Sequence, residues 1–140
     1  MGIFDWLFGK KEELLKFYHK NGQLKEEVNY KNDGLRKYYY ENGQLKKEGN
    51  YKDDKKEGYF KFYHENGQLG LEGNWKDDKI YGFWKKYHQN GQLWEERDYK
   101  DHKKNEFWKK IYNEDGQLKE EGNSKDDKND GLYKTQLFYW

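Results

Sequence analysis

GYFKFYHENGQLGLEGNWKDDK, residues Gly58 to Lys79, alternates apolar and polar residues on both sides of an Asn-Gly pair. Alternation at period two marks a half-buried strand. Asn-Gly between two such runs is the strongest short signal for a hairpin with a two-residue turn, in which both central residues need φ > 0. A two-residue turn at Asn66-Gly67 sets His64 opposite Leu69, Phe62 opposite Leu71, Lys61 opposite Glu72 and Phe60 opposite Gly73. One face then carries Phe60, Phe62, Leu69, Leu71 and Trp75 and reads as the core. The other carries Tyr59, Lys61, Tyr63, Glu72 and Asn74.

The same four residues recur at Asn21–Leu24, Asn42–Leu45 and Asn90–Leu93, and as Asp115–Leu118 with Asp for Asn. Their glycines, Gly22, Gly43, Gly67, Gly91 and Gly116, are spaced like the units of a repeat array. The same register pairs Lys16 with Glu27, Lys37 with Glu48 and Lys85 with Glu96. In the fifth unit Lys109 and Glu121 miss by one residue, which predicts a single-residue bulge in the first strand. That bulge sets Trp108 across from Gly122, as Phe60 sits across from Gly73, each ring lying over bare backbone. Lys-Asp-Asp-Lys segments at 52–55, 76–79 and 125–128 connect the hairpins.

The fold expected is all-β: a single-layer antiparallel meander of five repeated hairpins plus a terminal strand, Leu132 to Trp140. A sheet of about eleven strands curls, here into a twisted half-pipe. Two segments divide the chain: an amphipathic capping segment, 1–14, and the hairpin array, 15–140. Ile3, Phe4, Leu7, Phe8, Leu14 and Leu15 fall on one side of a helix, so the first segment reads as a short N-terminal helix that caps the sheet edge. The competing reading of that segment is an anchor for a membrane surface or a partner.

Mean hydropathy of −1.63 and 39% charged residues lean toward disorder, but 14 Tyr, 8 Phe and 6 Trp reverse that reading. Rings that bury roughly 150–250 Å² each can stabilise a sheet with few aliphatic residues. The net charge of +1 is no electrostatic footprint for nucleic acid. Cysteine is absent, which removes disulfides and thiol chemistry. No apolar run approaches a membrane span, and MGIFDWLFGKK does not read as a secretory signal, so a cytoplasmic location is expected.

A strand, Asn-Gly-Gln-Leu, a second strand ending Glu-Gly-Asn-aromatic, then Lys-Asp-Asp-Lys and Gly-aromatic resembles the MORN repeat. The resemblance is to the bacterial variant of the YwqK-family antitoxin type, and it spans residues 15–140. It implies an interaction module, with a toxin as one conceivable partner. The departures are Glu106 in place of Gly, Arg97 where three units have Gly, and Ser124 in the position of Tyr51 and Trp75.

His19, His64 and His88 share one repeat column with Tyr40 and Tyr112. Neighbours in that column lie two strands apart, about 9–10 Å, too far to share a zinc ion. The Asp-Asp loops lack calcium-ligand spacing, and the carboxylates repeat with the period, so no catalytic, cofactor or metal residue is assigned. Phe60, Phe62, Trp75, Trp84 and Trp108 form the aromatic face, with Tyr63 and Tyr87 on the opposite one and Trp140 at the C-terminal edge. These are the candidate partner-binding residues. The function expected is non-enzymatic protein–protein interaction or scaffolding, with homodimerisation through the C-terminal strand as a further contact. The alternative is a module for phospholipid headgroups at a membrane surface, and a more distant one is an accessory domain of an enzyme system.

Overall fold

The computed structural model describes residues 14–30, 34–99 and 106–125. Ten strands follow one another: β1 (Leu14–Tyr18), β2 (Leu24–Asn29), β3 (Leu35–Tyr39), β4 (Leu45–Lys52), β5 (Lys55–Tyr63), β6 (Leu69–Lys76), β7 (Lys79–Tyr87), β8 (Leu93–Tyr99), β9 (Glu106–Tyr112) and β10 (Leu118–Lys125). Each pairs antiparallel with the next in one open sheet whose spatial order is the chain order. The described residues contain no helix. The expected N-terminal cap falls on residues outside them, except that Leu14 and Leu15 belong to β1, opposite Asn29 and Val28. The expected strand from Leu132 to Trp140 and the edge contact built on it also lie outside the described residues.

The Asn-Gly turns differ from the two-residue type expected. The His64 carbonyl accepts from Gly67 N–H at 2.9 Å, and His64 N–H donates to the Gln68 carbonyl at 2.8 Å. This closes a three-residue loop in which only Gly67, with φ of 85°, is left-handed. Asn66 keeps an ordinary φ because its Oδ1 accepts from Gln68 N–H at 3.0 Å, an Asx turn. Tyr63 therefore faces Leu69, and an extra residue, Gly70, restores the expected pairs: Phe62 with Leu71, Lys61 with Glu72, Phe60 with Gly73. Leu69 thereby leaves the core face for that of Tyr63. The true two-residue turns are the Asp-Asp pairs, with φ of 51° and 61° at Asp53 and Asp54 and 49° and 64° at Asp77 and Asp78. Aspartate tolerates that region better than most residues.

The fifth unit carries no bulge in its first strand. Its hairpin repeats the others, with the same single-residue irregularity in the second strand, here between Leu118 and Glu120; Lys110 faces Glu121, Lys109 faces Gly122 and Trp108 faces Asn123. Trp108 thereby moves to the face opposite the core, and Phe107, 5% exposed, takes the inward position. Asn113, not Tyr112, closes the fifth turn.

The core is one aromatic cluster. Phe60, Phe62, Leu71, Trp75 and Trp84 are buried, with Tyr51, Ile80 and Tyr99 packed against them. Ring centroids lie 5.3 Å apart for Tyr51–Phe60, 5.6 Å for Phe60–Trp75 and 5.4 Å for Phe62–Trp75. Full burial of Phe60 in a single layer requires a face that coils around its own large rings, as long open sheets do. Toward the C-terminal side this face turns polar yet stays buried. Arg97 fills the position that Gly49 and Gly73 hold elsewhere. Its Nε donates to Glu95 Oε1 at 2.6 Å and its guanidinium lies 4.0 Å from the Phe107 ring centroid. Lys86, over the Trp94 ring at 4.1 Å, is pushed down to about 8, chiefly by burial.

Candidate interaction surface

The face opposite the core is organised in three rows. The central row alternates in sign across all ten strands: Lys16, Glu27, Lys37, Glu48, Lys61, Glu72, Lys85, Glu96, Lys110, Glu121, each registered with the next. Such pairs set register more than stability, and they leave the face without a net field. The second row is tyrosine. Tyr63 donates to Glu48 at 2.9 Å, Tyr87 to Glu72 at 2.7 Å and Tyr112 to Glu96 at 3.1 Å. Burial, then the bonded carboxylate, pushes the Tyr63 hydroxyl up to about 12 and Tyr87 upward as well, so both remain donors.

Glu72 is the busiest member of the charged row. Burial alone would raise its carboxyl, but hydrogen bonds from Tyr59 and Tyr87 and the charges of Lys61 and Lys85 bring it below the ordinary carboxylate range. A depressed folded value means the unfolded chain takes up the proton first. Its contribution is complete above the ordinary range and is lost as pH falls through the depressed value. Glu72→Gln should therefore flatten the acid limb of a stability–pH curve, read by urea denaturation between mildly acidic and neutral pH. An unchanged acid limb would remove Glu72 from that role.

The third row carries a group of exposed rings in the middle of the sheet; Phe17, Tyr18 and Tyr30, exposed as well, lie toward its first edge. Two bulges make the group. In β5 the residues between Lys56 and Phe60 oppose Asn50 alone, and in β7 Gly82 and Phe83 have no counterpart in β6. Gly58 and Gly82, at φ of 91° and 67°, supply the left-handed backbone these bulges need. The following residues, Tyr59 and Phe83, are 49% and 44% exposed, and Tyr81 is 41% exposed. Tyr59 and Tyr81 flank Asn74 from either side, so the three rings lie together over β5, β6 and β7. Bulges commonly re-aim a side chain beside a functional site.

Of the residues singled out from sequence, Phe60, Phe62, Trp75 and Trp84 lie in the buried cluster and present no surface to a partner in this conformation. Trp108 joins the third row, half-buried beneath the Lys110 ammonium at 5.0 Å. Tyr63 and Tyr87 are half-buried with their hydroxyls engaged. Trp140 lies outside the described residues. Sequence reasoning passed over Tyr81 and Phe83, although a glycine inside a strand pattern, as at Gly58 and Gly82, is itself a bulge signal.

The opposite edge of the sheet is a stack of turns. His19 and His64 donate from Nε2 to the carbonyls of Tyr39 and Tyr87 at 2.9 and 3.1 Å, and Tyr40 donates to the Tyr63 carbonyl at 2.7 Å. The histidine column thus stitches neighbouring turns. An open cleft of about 850 Å³ runs over this edge past Tyr40, His64, His88 and Trp94. Trp94 lies parallel to His88 at 5.1 Å.

The repeat class follows from these units and from comparison with known families. Residues 14–32, 33–53, 56–77, 82–101 and 109–126 each match the MORN repeat variant. No curated protein matches the chain. MORN repeats generally serve as modules that bind proteins or membranes. Five successive matches, each containing the same turn and together spanning most of the chain, place this chain in the MORN repeat variant family.

Proposed function

We propose that this array is a non-enzymatic protein-interaction module whose partner seats on the rings of Tyr59, Tyr81 and Phe83. One observation carries the reading: two left-handed glycine bulges hold large rings about half-exposed on the face opposite the buried aromatic cluster. Exposed aromatic residues beside paired charges are the composition of an interface hot spot with a polar rim. The family resemblance adds a toxin-like protein as one class of partner. The alternating charge row favours a protein partner over an anionic membrane, which would select a surplus of lysine.

The test compares wild type with the double variant Tyr59→Ser/Phe83→Ser as bait in extracts of the native host. A specific partner should be retained by wild type and lose at least about tenfold in affinity with the variant. The melting temperature should fall only modestly, through loss of the Tyr59–Glu72 hydrogen bond, since both rings are about half-exposed. Equal capture by both proteins would overturn the assignment of the surface. Co-sedimentation of wild type, but not the variant, with anionic vesicles would replace the protein partner by a membrane.

A further inference from the structure

Four turns share the sequence Asn-Gly-Gln-Leu, and in the folded array the asparagine side chain has the same task in each. Its Oδ1 accepts from the N–H of Gln23, Gln44, Gln68 or Gln92 in its own turn. Its Nδ2 donates to a carbonyl of the next turn: Asn21 to Glu41 at 2.8 Å, Asn42 to Glu65 at 3.0 Å, Asn66 to Gln89 at 2.8 Å, Asn90 to Glu114 at 3.3 Å. Asp115, in the fifth turn, keeps the acceptor to Gln117 N–H at 3.1 Å and has no amide to donate. An asparagine before glycine is also chemically labile, because the unhindered glycine nitrogen can attack the side-chain amide.

We propose that Asn90 is a deamidation site, where modification severs the amide ladder between the fourth and fifth repeats. The Gly91 nitrogen gives up its proton and attacks Cγ of Asn90. The N–Cγ bond forms, the Cγ–Nδ2 bond breaks, and the amide nitrogen leaves as ammonia with the proton it has gained. Water then opens the cyclic imide to aspartate or isoaspartate, with no oxidant or reductant involved.

For the attack, Gly91 N–H must leave the His88 carbonyl, 2.9 Å away, and the side chain must swing off Gln92 and Glu114. The bonds within the turn are nearly alike in all four copies. The bond to the next turn is longest at Asn90. The companion tie from His88 Nε2 to the Tyr112 carbonyl, 3.5 Å, is likewise the longest of the three histidine ties. Among the joints between repeats, β8 and β9 share four registered pairs, as β2 and β3 do, against five for β4 and β5 and six for β6 and β7. The two long ties separate this joint from the one at Asn21. Local opening sets the rate of such a reaction, and the fourth turn opens most readily. Its product points a carboxylate at the Glu114 carbonyl, with no donor between them.

The shared sequence provides an internal control. The full-length protein is incubated in mildly alkaline buffer, folded and in urea, and each turn is followed by peptide mass mapping. In urea the four turns should lose ammonia at similar rates. Folded, all should slow, with Asn90 leading Asn21, Asn42 and Asn66 by about threefold or more, the factor that part of one net hydrogen bond supplies. Equal folded rates, or a lead at another turn, would overturn the assignment, and folded rates equal to those in urea would overturn the protection. Asn90→Asp should speed amide exchange in β9 and β10 and leave β5 and β6 unchanged. No change in β9 and β10 would overturn the severed joint.

Discussion

Truncating Phe60 to alanine should remove about 3–5 kcal/mol of folding free energy, a large share of the roughly 5–15 kcal/mol that a domain commands. The ring is fully buried and touches Tyr51, Phe62 and Trp75. Its neighbours across the sheet on either side are Gly49 and Gly73, which have no side chain to move into the void. Urea denaturation monitored by tryptophan fluorescence measures the loss. Gly49→Ala offers a check on the mechanism, because a Cβ at Gly49 would lie 2.5 Å from Phe60 Cγ. Alone it should cost about 1–3 kcal/mol through overpacking. Combined with Phe60→Ala the new methyl enters the vacated space, so the double variant should be more stable than the two losses added together. Strict additivity would show that the ring does not cover Gly49.

Gly73→Ala should be at least as damaging as Gly49→Ala, about 3 kcal/mol or more, and beyond rescue by trimming its neighbour. A Cβ there would overlap the Trp84 Cβ and stand 3.1 Å from Trp84 Cα and 3.2 Å from the Phe83 carbonyl oxygen. Alanine at 84 keeps the Cβ and the backbone, so Trp84→Ala cannot relieve the overlap, and β6 must move away from β7. Thermal melts of both single variants and the double should show no favourable coupling. Recovery in the double variant would mean that the indole, not the backbone, closes over Gly73. The strain would also reach the bulge that exposes Phe83, so Gly73→Ala should weaken partner capture.

Much of the sheet was legible in the chain. Alternation named the strands, and the pairing of Lys61 with Glu72 and Phe60 with Gly73 came out as read, although the turn beneath them did not. Two errors cancelled. The loop is one residue longer than Asn-Gly suggests, and the bulge at Gly70 takes up that residue. In the fifth unit the count outward from the turn holds as well, since it sets Lys110 against Glu121, and the bulge expected in order to pair Lys109 is absent. Without that bulge Trp108 lies on the face opposite the core, and Phe107 takes the inward position. Arg97 stands in a column that other units fill with glycine. It proved to be a buried cation held by Glu95 and flanked by the Trp84 and Phe107 rings.

The candidate surface was less legible, for a definite reason. Alternation tells which residues share a face, but not which rings on a face close over one another. Tyr59 and Tyr63 share a face by alternation, yet Tyr59 is 49% exposed and Tyr63 is half-buried with its hydroxyl on Glu48.

Strand identity, antiparallel order, the repeat class and the lysine–glutamate row are all consequences of local chemistry: side-chain alternation, turn residues and a period of about two dozen residues. They depend on neighbours in sequence, so the sequence alone carries them. Which turn is two-residue, where each bulge falls and which rings remain in water depend on hydrogen bonds and packing between strands. Asn66 donates to Gln89 in the next repeat, and Gly73 must leave room for Trp84 from the neighbouring strand. Those contacts exist only once the sheet has formed, and they separate the buried rings from Tyr59, Tyr81 and Phe83.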